Sequence, residues 1–323
     1  MINVFVPSFN HSSFIEQTLR SIFYQTLPPK KLLVIDDGSS DDSPKIIEKV
    51  LKDCPFEYYF IKRENRGLTK TLNEALSMLE DAEFFAYIGS DDIWFPEFLQ
   101  KRINLLMSNP KASLAFGNAF LIDESSNIID STADWFDFDQ NKILDHLLRG
   151  EIFSSPTVVY RTEYLKRHRW NEESVLEDYE LYLKLSLESE FCFDPTILAA
   201  WRVHSKNTSR NFPKMFEEWI LAQNRVLKDA IPKEELAAIQ KKLRFKSVAD
   251  FVRFGYKNEA IKLFFENIGG ATSFSQFAGM VLRLITPQKL FQANRRRKMR
   301  KKTLRYGNLQ DVIAKFPSGV CIN

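Results

Sequence analysis

Three short polar clusters in this chain each follow directly on an apolar run. They are Pro7-Ser8-Phe9-Asn10, Asp36-Asp37 and Ser90-Asp91-Asp92. Carboxylate oxygens are hard ligands that favour magnesium or manganese over zinc. A cation of this kind is needed when the ligand is a diphosphate, because it neutralises the negative charge. The clusters therefore predict a site for a divalent cation and a phosphorylated ligand.

The apolar runs before these clusters are rich in β-branched residues and predict buried strands. The predicted strands are residues 2–7, 32–35, 58–61 and 84–88. Between these strands, apolar residues at helical spacing predict three helices. The first follows Ser12 and Ser13 and ends at Phe23, and the others cover 43–51 and 69–79. Strands that alternate with helices predict a mostly parallel sheet with helices on both faces. Ligands of such sheets lie at the carboxyl ends of the strands, so the three clusters should meet on one rim.

The rest of the chain divides into a mixed part and a helical part. Strands are predicted over 114–122 and 157–160, and a helix over 176–187 that opens with Glu177 and Asp178. After Ser209 the apolar residues recur at helical spacing with almost no strand signal. We therefore predict an α/β domain over 1–210 and a helical C-terminal region over 211–323, which suits a length of about two domains.

Composition and motifs exclude several classes of protein. Hydrophobic residues make up 44% and charged residues 27%, which excludes a collagenous or wholly disordered chain. No G-x-G-x-x-G follows a predicted strand and no G-x-x-x-x-G-K-[ST] is present, which argues against a dinucleotide dehydrogenase and a P-loop enzyme.

The compartment follows from the cysteines and the amino terminus. Cys54, Cys192 and Cys321 are too few and too far apart for a disulfide framework or a paired zinc site, which favours a reducing cytosol. The first residues lack the basic start and long apolar stretch of a secretory signal, so we expect no export. No window approaches the roughly 18 apolar residues of a membrane span.

A basic segment distinguishes the C-terminal region. Residues 267–310 contain ten Lys or Arg and no Asp or Glu, although the whole chain has a net charge of only +3. Phe274, Phe277, Val281, Leu284 and Ile285 fall on one helix face just before the basic run from Arg295 to Lys302. This pattern favours binding to an anionic membrane surface. The alternative is a tail that is only solvated. Binding to nucleic acid is a third interpretation, but no recognised nucleic-acid-binding module supports it.

Six motifs in register resemble family 2 glycosyltransferases with the GT-A fold. They are Val6-Pro7-Ser8-Phe9-Asn10, Gln25-Thr26, Val34 to Asp41, Asn65-Arg66-Gly67, Ser90 to Trp94 and Glu177 to Leu181. Each is weak alone, since Asp-Asp-Gly-Ser is an ordinary turn sequence, but their order and spacing make the match specific. The resemblance covers residues 1 to about 210. It implies a Rossmann-like, mostly parallel sheet and the inverting transfer of a sugar from a nucleotide diphosphate to an acceptor hydroxyl.

The resemblance also implies a role for each matching residue. Pro7 and Phe9 would line the base pocket, Asp37 would bind base or ribose with Asp36 beside it, and Asp178 would be the catalytic base. Asp91 would hold the metal. His204 would join it or touch the diphosphate, because Trp201 to Ser205 resembles the Arg-x-His that follows the base helix in many relatives. The remaining donor-site positions are Asn10, Asn65, Gly67, Ser90 and Asp92. The chain departs from the family at Gly89, where the first Asp of Asp-x-Asp is missing.

Structural interpretations stay open for several of these residues. Asp36 and Asp37 suit a turn, Asp91 and Asp92 suit a helix cap, and acidic residues at 177 and 178 suit a helix start. Phe9 could be a core aromatic. His204 could be structural, and we expect no catalytic role for the other three histidines, His11, His146 and His168.

We predict an enzyme, namely a glycosyltransferase. Its donor would be a nucleotide sugar, with a UDP-sugar preferred, and its cofactor would be Mn²⁺ or Mg²⁺. Its acceptor would be a lipid-linked oligosaccharide of a surface polysaccharide, at the inner face of the cytoplasmic membrane, with homo-oligomers possible. The alternatives are a transferase that places a sugar on polyprenyl phosphate, and a non-catalytic nucleotide-sugar-binding scaffold. The donor sugar is not predicted, because residues 115–160 carry no local signature for it.

Overall fold

The computed structural model describes residues 1–205, 207 and 211–314, and its centre is a nine-stranded sheet. The strands are β1 (Ile2–Ser8), β2 (Lys31–Asp36), β3 (Glu57–Lys62), β4 (Phe84–Tyr87), β5 (Ile93–Trp94), β6 (Ala112–Ile122), β7 (Ile128–Ser131), β8 (Val159–Arg161) and β9 (Glu190–Arg202). Their order is β3-β2-β1-β4-β8-β6-β9-β5, and β7 pairs with β6.

Six of these strands run in the same direction. β1 is parallel to β2 and β4, and β2 is parallel to β3. β8 is antiparallel to both β4 and β6, so β6 runs like β4, and β9 is parallel to β6. The predicted mostly parallel sheet is confirmed. The carboxyl ends of β1, β2, β3, β4, β6 and β9 therefore lie along one edge.

Thirteen α-helices are present in the described residues. They are α1 (Ile15–Phe23), α2 (Ser43–Val50), α3 (Leu68–Leu79), α4 (Phe98–Ser108), α5 (Ile143–Leu148), α6 (Thr162–His168), α7 (Glu177–Ser186), α8 (Phe212–Leu227), α9 (Lys233–Phe254), α10 (Lys257–Glu266), α11 (Phe274–Ile285), α12 (Gln288–Tyr306) and α13 (Leu309–Ile313). The helices predicted in the first 190 residues are therefore present.

Both faces of the sheet are buried, as side-chain alternation along a strand requires. In β1, Val4 and Val6 join one core cluster with α1, α2 and α4, whereas Phe5 joins a second cluster with α3, α5 and α7. This two-sided packing stabilises the strands by burying apolar area at about 25 cal/mol per Å². The packing fixes where each strand ends at the edge of the sheet. It therefore also fixes the position of the residues that follow each strand.

The 13-residue strand β9 is the largest element that the sequence reading did not predict. Its middle carries Asp194 and Pro195, and its pairing with β6 shifts register near Gly117 and Asn118. These irregularities break the two-residue periodicity on which strand prediction depends. β9 matters because it delivers the residues after Arg202 to the same edge as the ends of β1 and β4.

The C-terminal region is helical in its described part, with a third core cluster formed by α8 to α11. The predicted boundary near 210 and Cys321 lie outside the described residues. α13 returns to the sheet, where Leu309 and Ile313 join the first core cluster. Lys302 of α12 forms ion pairs with Asp130 and Asp134.

The predicted apolar face of α11 is only partly exposed. Phe277, Val281 and Leu284 pack against the third core cluster, whereas Phe274 and Ile285 are 84% and 69% exposed. The five residues therefore do not form one free face, as the sequence had suggested. None of the helices in the described ranges is both long and apolar enough to cross a bilayer.

Candidate functional site

The turn after β1 presents one aromatic ring and one strained asparagine. Phe9 is 47% exposed, so it is not a core aromatic, and Pro7 beside it is half-buried. Asn10 has a φ of 55°, in the left-handed region that asparagine tolerates better than most residues. Its side-chain oxygen accepts a hydrogen bond from the backbone N–H of Ser40 at 2.8 Å. This contact ties the first cluster to the second.

Asp36 is a fully buried carboxylate at the end of β2. It accepts hydrogen bonds from the hydroxyls of Ser8 at 3.2 Å and Ser39 at 2.7 Å, and from the backbone N–H of Ser39 at 2.9 Å. These bonds hold the turn after β2, as the structural interpretation expected. They also fix the direction of the next residue, Asp37.

Asp37 joins the turn after β2 to the turn after β3. Its carboxylate accepts the backbone N–H of Arg66 at 3.1 Å and of Gly67 at 2.9 Å, and lies 3.2 Å from the guanidinium of Arg63. Gly38 has a φ of 87°, and a Cβ there would lie 2.8 Å from the backbone nitrogen of Asn65. The close approach of these turns therefore requires glycine at position 38.

The third cluster meets residues from two other strand ends. One carboxylate oxygen of Asp91 lies 2.9 Å from Nε2 of His204, which follows β9. The other lies 3.7 Å from Nδ1 of His11, and that nitrogen lies 2.7 Å from the hydroxyl of Ser90. Asn207 donates to Asp91 at 3.4 Å. Strand ends that are far apart in sequence thus converge on one carboxylate.

His11, Asp91 and His204 fit the requirements of a cation site. Each offers one ligand atom, and these atoms lie within 4.8 Å of one another, so small movements of the side chains would bring all three to bonding distance of one ion. Asp91 and His204 are buried and His11 is half-buried. The prediction gave His11 no role because a lone histidine carries no spacing signal. Only the fold brings it to the other two.

Asp92 points away from this group, towards β9. One of its oxygens accepts the backbone N–H of Arg202 at 2.8 Å. Burial, followed by the charge of Asp91, raises the pKa of Asp92 well above its ordinary value, and Arg202 opposes this shift. No helix starts here, since β5 follows directly, so the cap interpretation of Asp91 and Asp92 is wrong. The predicted contact of Asp92 with a nucleotide stays a prediction.

Arg202 is a fully buried residue that fastens this part of the rim. Its guanidinium donates to the backbone oxygens of Asp91 at 2.9 Å and Asp123 at 3.0 Å, and to the side chain of Gln17 at 2.8 Å. It also lies 4.7 Å from the ring centre of Phe14. Burial lowers the pKa of the guanidinium, and the neighbouring carboxylates act against that change.

Two more carboxyl groups, Glu177 and Asp178, form the first residues of α7 and are half-buried. Burial raises the pKa of both, and the charge of Glu177 raises that of Asp178 further. They lie near β4, because their charges, after burial, contribute to a raised pKa of Tyr87. The helix-start interpretation holds for their backbone, but the raised pKa values are those of groups suited to proton transfer.

A cleft of about 500 Å³ opens between these groups and the C-terminal helices. Its lining residues are Val175, Asn207, Asn211, Lys214, Met215, Phe254 and Tyr256. Asn207 also contacts Asp91, and Val175 lies three residues before Asp178. The cleft therefore reaches from the group of His11, Asp91 and His204 towards α7, with aromatic and polar walls that suit a sugar.

Comparison with known families agrees with this arrangement. The sequence model of the family described as "Glycosyl transferase family 2" matches residues 3–168. A Campylobacter jejuni relative, named as a GalNAc(5)-diNAcBac-PP-undecaprenol beta-1,3-glucosyltransferase, is 28% identical over 59% of this chain and 61% of its own length. Chondroitin synthase of Escherichia coli is 23% identical over 65% of this chain.

The chain is shorter than several of its relatives. It spans 36% of the length of an uncharacterised glycosyltransferase of Rickettsia conorii, to which it is 25% identical over 68% of its own residues. It likewise spans 30% of the chondroitin synthase. The activity of such longer proteins as a whole is therefore no description of this chain.

Solved structures share the fold at low sequence identity. The mannosyltransferase PcManGT from Pyrobaculum calidifontis, in complex with GDP-Man and Mn²⁺, gives a TM-score of 0.60 at 16% identity, over 94% of this chain and 86% of that one. TarS 1–349 of S. aureus with UDP-GlcNAc gives 0.57 at 18%, over 94% and 91%. The GT-A-like α/β fold with a helical C-terminal region is thereby confirmed.

Replacement of Arg202 by methionine should destabilise the protein strongly. Arg202→Met would leave buried carbonyls without a donor and Asp92 without a nearby positive charge, so we expect a loss of about 3–5 kcal/mol in the free energy of unfolding. Urea denaturation of the full chain measures this loss. Arg167→Met is the control, because its guanidinium is half exposed and its ion pair with Glu188 is worth at most about 1 kcal/mol. Equal losses in the two variants would contradict the role given to Arg202.

Proposed function

This chain belongs to glycosyl transferase family 2, and from that premise we propose that it is an inverting transferase for a nucleotide diphosphate sugar. Membership makes it a glycosyltransferase with relatives in bacterial polysaccharide synthesis. The observation that carries the proposal is the convergence of strand ends on one rim. Asp37, Asp91 and His204 follow three parallel strands that are far apart in sequence, and carboxylates and imidazole there suit a nucleotide diphosphate with a cation.

We assign the nucleoside to the β1 and β2 end of the rim. The exposed ring of Phe9 can stack on a base, and Pro7 lies beside it. Asp37 is held by the backbone N–H groups of Arg66 and Gly67, which orients its carboxylate for the base or ribose. The other donor residues in this assignment are Asn10, Asp36, Asn65, Ser90 and Asp92.

The diphosphate belongs at the third cluster. A divalent cation held by Asp91 and His204 would neutralise the charge that the diphosphate gains as the glycosidic bond breaks. The fold of a mannosyltransferase solved with Mn²⁺ supports manganese as that cation. Asn207 holds the carboxylate of Asp91, and Arg202 holds its backbone, so the chain itself orients this ligand before the donor arrives.

Asp178 is the catalytic base in this proposal. Inverting transfer needs a carboxylate that takes the proton of the acceptor hydroxyl, on the side opposite the departing diphosphate. The pKa of Asp178 is raised by burial and by Glu177, so its conjugate base is stronger than an ordinary carboxylate. Its position at the start of α7, beside the cleft, suits contact with an acceptor that enters there.

We propose a UDP-sugar as donor and a lipid-linked oligosaccharide as acceptor. UDP-GlcNAc is bound in one fold neighbour, although another holds GDP-Man. The name of the Campylobacter relative, which includes an undecaprenol-linked glycan, supports the acceptor class. Phe254 and Tyr256 in the cleft offer aromatic faces on which sugar rings can pack.

We propose that the C-terminal region contacts the inner face of the cytoplasmic membrane. Phe274, Leu282 and Ile285 are exposed at positions that share one side of α11, next to the side that carries its packed residues. α12 adds a run of exposed arginines and lysines from Arg296 to Lys301. Apolar side chains next to basic ones are typical of proteins that bind anionic membrane surfaces.

Replacement of Asp178 by asparagine should remove activity without removing donor binding. Asp178→Asn keeps the size of the side chain but cannot accept the proton, so we expect UDP release from UDP-sugars with Mn²⁺ to fall at least about a hundredfold. The affinity for UDP, measured by calorimetry, should stay within a factor of two. The variant should also melt at a higher temperature at neutral pH, because a carboxylate with a raised pKa destabilises the fold above its ordinary pKa. An active Asp178→Asn enzyme would contradict the assignment.

The pH dependence of the reaction should move when Glu177 loses its charge. The negative charge of Glu177 raises the pKa of Asp178, so Glu177→Gln lowers it. The rate rises with pH as Asp178 loses its proton, and the acidic limb of the kcat/KM profile should therefore shift to lower pH in this variant. A shift to higher pH would contradict the proposed coupling. Glu173→Gln, an exposed residue in the preceding loop, should leave the profile unchanged.

Neutralising exposed arginines of α12 should weaken membrane binding. The triple change of Arg296, Arg297 and Arg300 to glutamine removes three charges worth about 1 kcal/mol each at an anionic surface. We expect binding to vesicles that contain anionic lipid, measured by sedimentation, to fall on the order of a hundredfold.

A matched triple change tests whether position matters. Lys49, Lys52 and Lys111 are also exposed but lie on the α/β part of the chain, and their replacement by glutamine should change vesicle binding little. Similar losses in both triple variants, or no loss in the first, would contradict a membrane surface on the C-terminal region.

A further inference from the structure

The absence of a side chain at position 89 leaves room for the carboxylate of Asp91. A Cβ on Gly89 would lie 2.9 Å from one carboxylate oxygen of Asp91 and 3.2 Å from one of Asp92. The first distance is shorter than van der Waals contact allows. The carboxylate of Asp91 therefore occupies space that a side chain at position 89 would need.

In this orientation the carboxylate of Asp91 lies between two imidazoles. One oxygen is 2.9 Å from Nε2 of His204 and the other is 3.7 Å from Nδ1 of His11. The two rings are nearly perpendicular, with centres 5.3 Å apart. Two imidazoles on either side of one carboxylate are an arrangement that a shared cation would stabilise.

The chain also fixes His11 before any ligand binds. The backbone N–H of His11 donates to the hydroxyl of Ser43 at 3.0 Å, and its carbonyl accepts the N–H groups of Phe14 and Ile15 at the start of α1. The hydroxyl of Ser90, 2.7 Å from Nδ1, orients the ring. Nδ1 is also the nitrogen that faces Asp91, so it would exchange the Ser90 hydroxyl for the cation when one binds.

We propose that His11 is a third protein ligand of the cation, and that its imidazole replaces the carboxylate that position 89 lacks. This inference rests on the proposed function, because it concerns the cation that binds the donor. Two imidazoles and one carboxylate carry a charge of −1, whereas two carboxylates and one imidazole would carry −2. Nitrogen ligands disfavour magnesium, so this set should bind Mn²⁺ at least about tenfold more tightly than Mg²⁺.

Pulsed electron paramagnetic resonance of Mn²⁺ bound to the full chain tests the proposal directly. Each imidazole nitrogen bound to Mn²⁺ gives a ¹⁴N modulation, so the wild type should show two such nitrogens. His11→Ala and His204→Ala should each show one. We expect His11→Ala to weaken Mn²⁺ binding at least about tenfold, measured from the signal of free Mn²⁺.

His168→Ala is the matched control. Its side chain is 24% exposed, close to the 21% of His11, and it lies at the end of α6, in an ion pair with Glu188. The control should keep two nitrogens and the wild-type affinity. The melting temperature of each variant without metal shows whether the fold is intact, and a variant that fails this check is replaced by His11→Asn.

Three results would overturn the inference. They are a wild type with one bound nitrogen that persists in His11→Ala, unchanged Mn²⁺ affinity in that variant, and no Mn²⁺ binding by the wild type. UDP binding, measured separately by calorimetry, distinguishes this failure from failure of the proposed function. A chain that binds UDP but has no nitrogen from His11 keeps the proposed function, whereas a chain that binds no nucleotide diphosphate loses it.

Discussion

The buried guanidinium of Arg202 is the interaction on which the rest of the site depends. A charge that is fully removed from water must be paired or hydrogen-bonded, and here its partners come from three separate segments, around Gln17, Asp91 and Asp123. In addition, the carboxylate of Asp92 accepts a hydrogen bond from the backbone N–H of Arg202. The end of β9, the turn after β4 and helix α1 are therefore held in one arrangement.

This arrangement explains how one rim can carry so many acidic groups. Asp36 and Asp37 are satisfied by hydroxyl and backbone N–H donors, and Asp92 is partly compensated by Arg202. Asp91 has weaker protein partners, two imidazoles and an amide, which a cation and a diphosphate could complement. Asp178 has a raised pKa because it is buried and because its neighbour Glu177 carries the same charge. We give metal binding and proton transfer to Asp91 and Asp178, two groups whose compensation is incomplete, as is usual at active sites.

Much of the fold could be predicted because its strands follow simple rules. β1, β2 and β4 are short β-branched or aromatic runs that end at polar clusters, so their direction and the shared rim followed from periodicity alone. β9 could not be found in this way, because Asp194, Pro195 and the register shifts against β6 interrupt its pattern. The prediction also failed to show which apolar residues of α11 are exposed. Its apolar residues cover more than one side of the helix, and only tertiary packing decides which of them are buried.

The candidate site was predictable to the extent that its residues sit in local motifs. Asp37, Asp91 and Asp178 each stand in a recognisable sequence, whereas His11 and Asn207 acquire their partners only when β1, β4 and β9 end side by side. The sequence indicates Arg202 only as part of Arg-x-His, and its burial shows why that arginine precedes His204: it fixes the turn that holds Asp91.

The central claim is that this rim binds a nucleotide diphosphate through a cation. Calorimetric titration of the full chain with UDP, in the presence of Mn²⁺ and again with a chelator, tests it most directly. We expect UDP to bind with Mn²⁺ and the affinity to be at least about tenfold lower with the chelator. Equal affinity under both conditions, or no binding of either UDP or GDP with Mn²⁺, would contradict it.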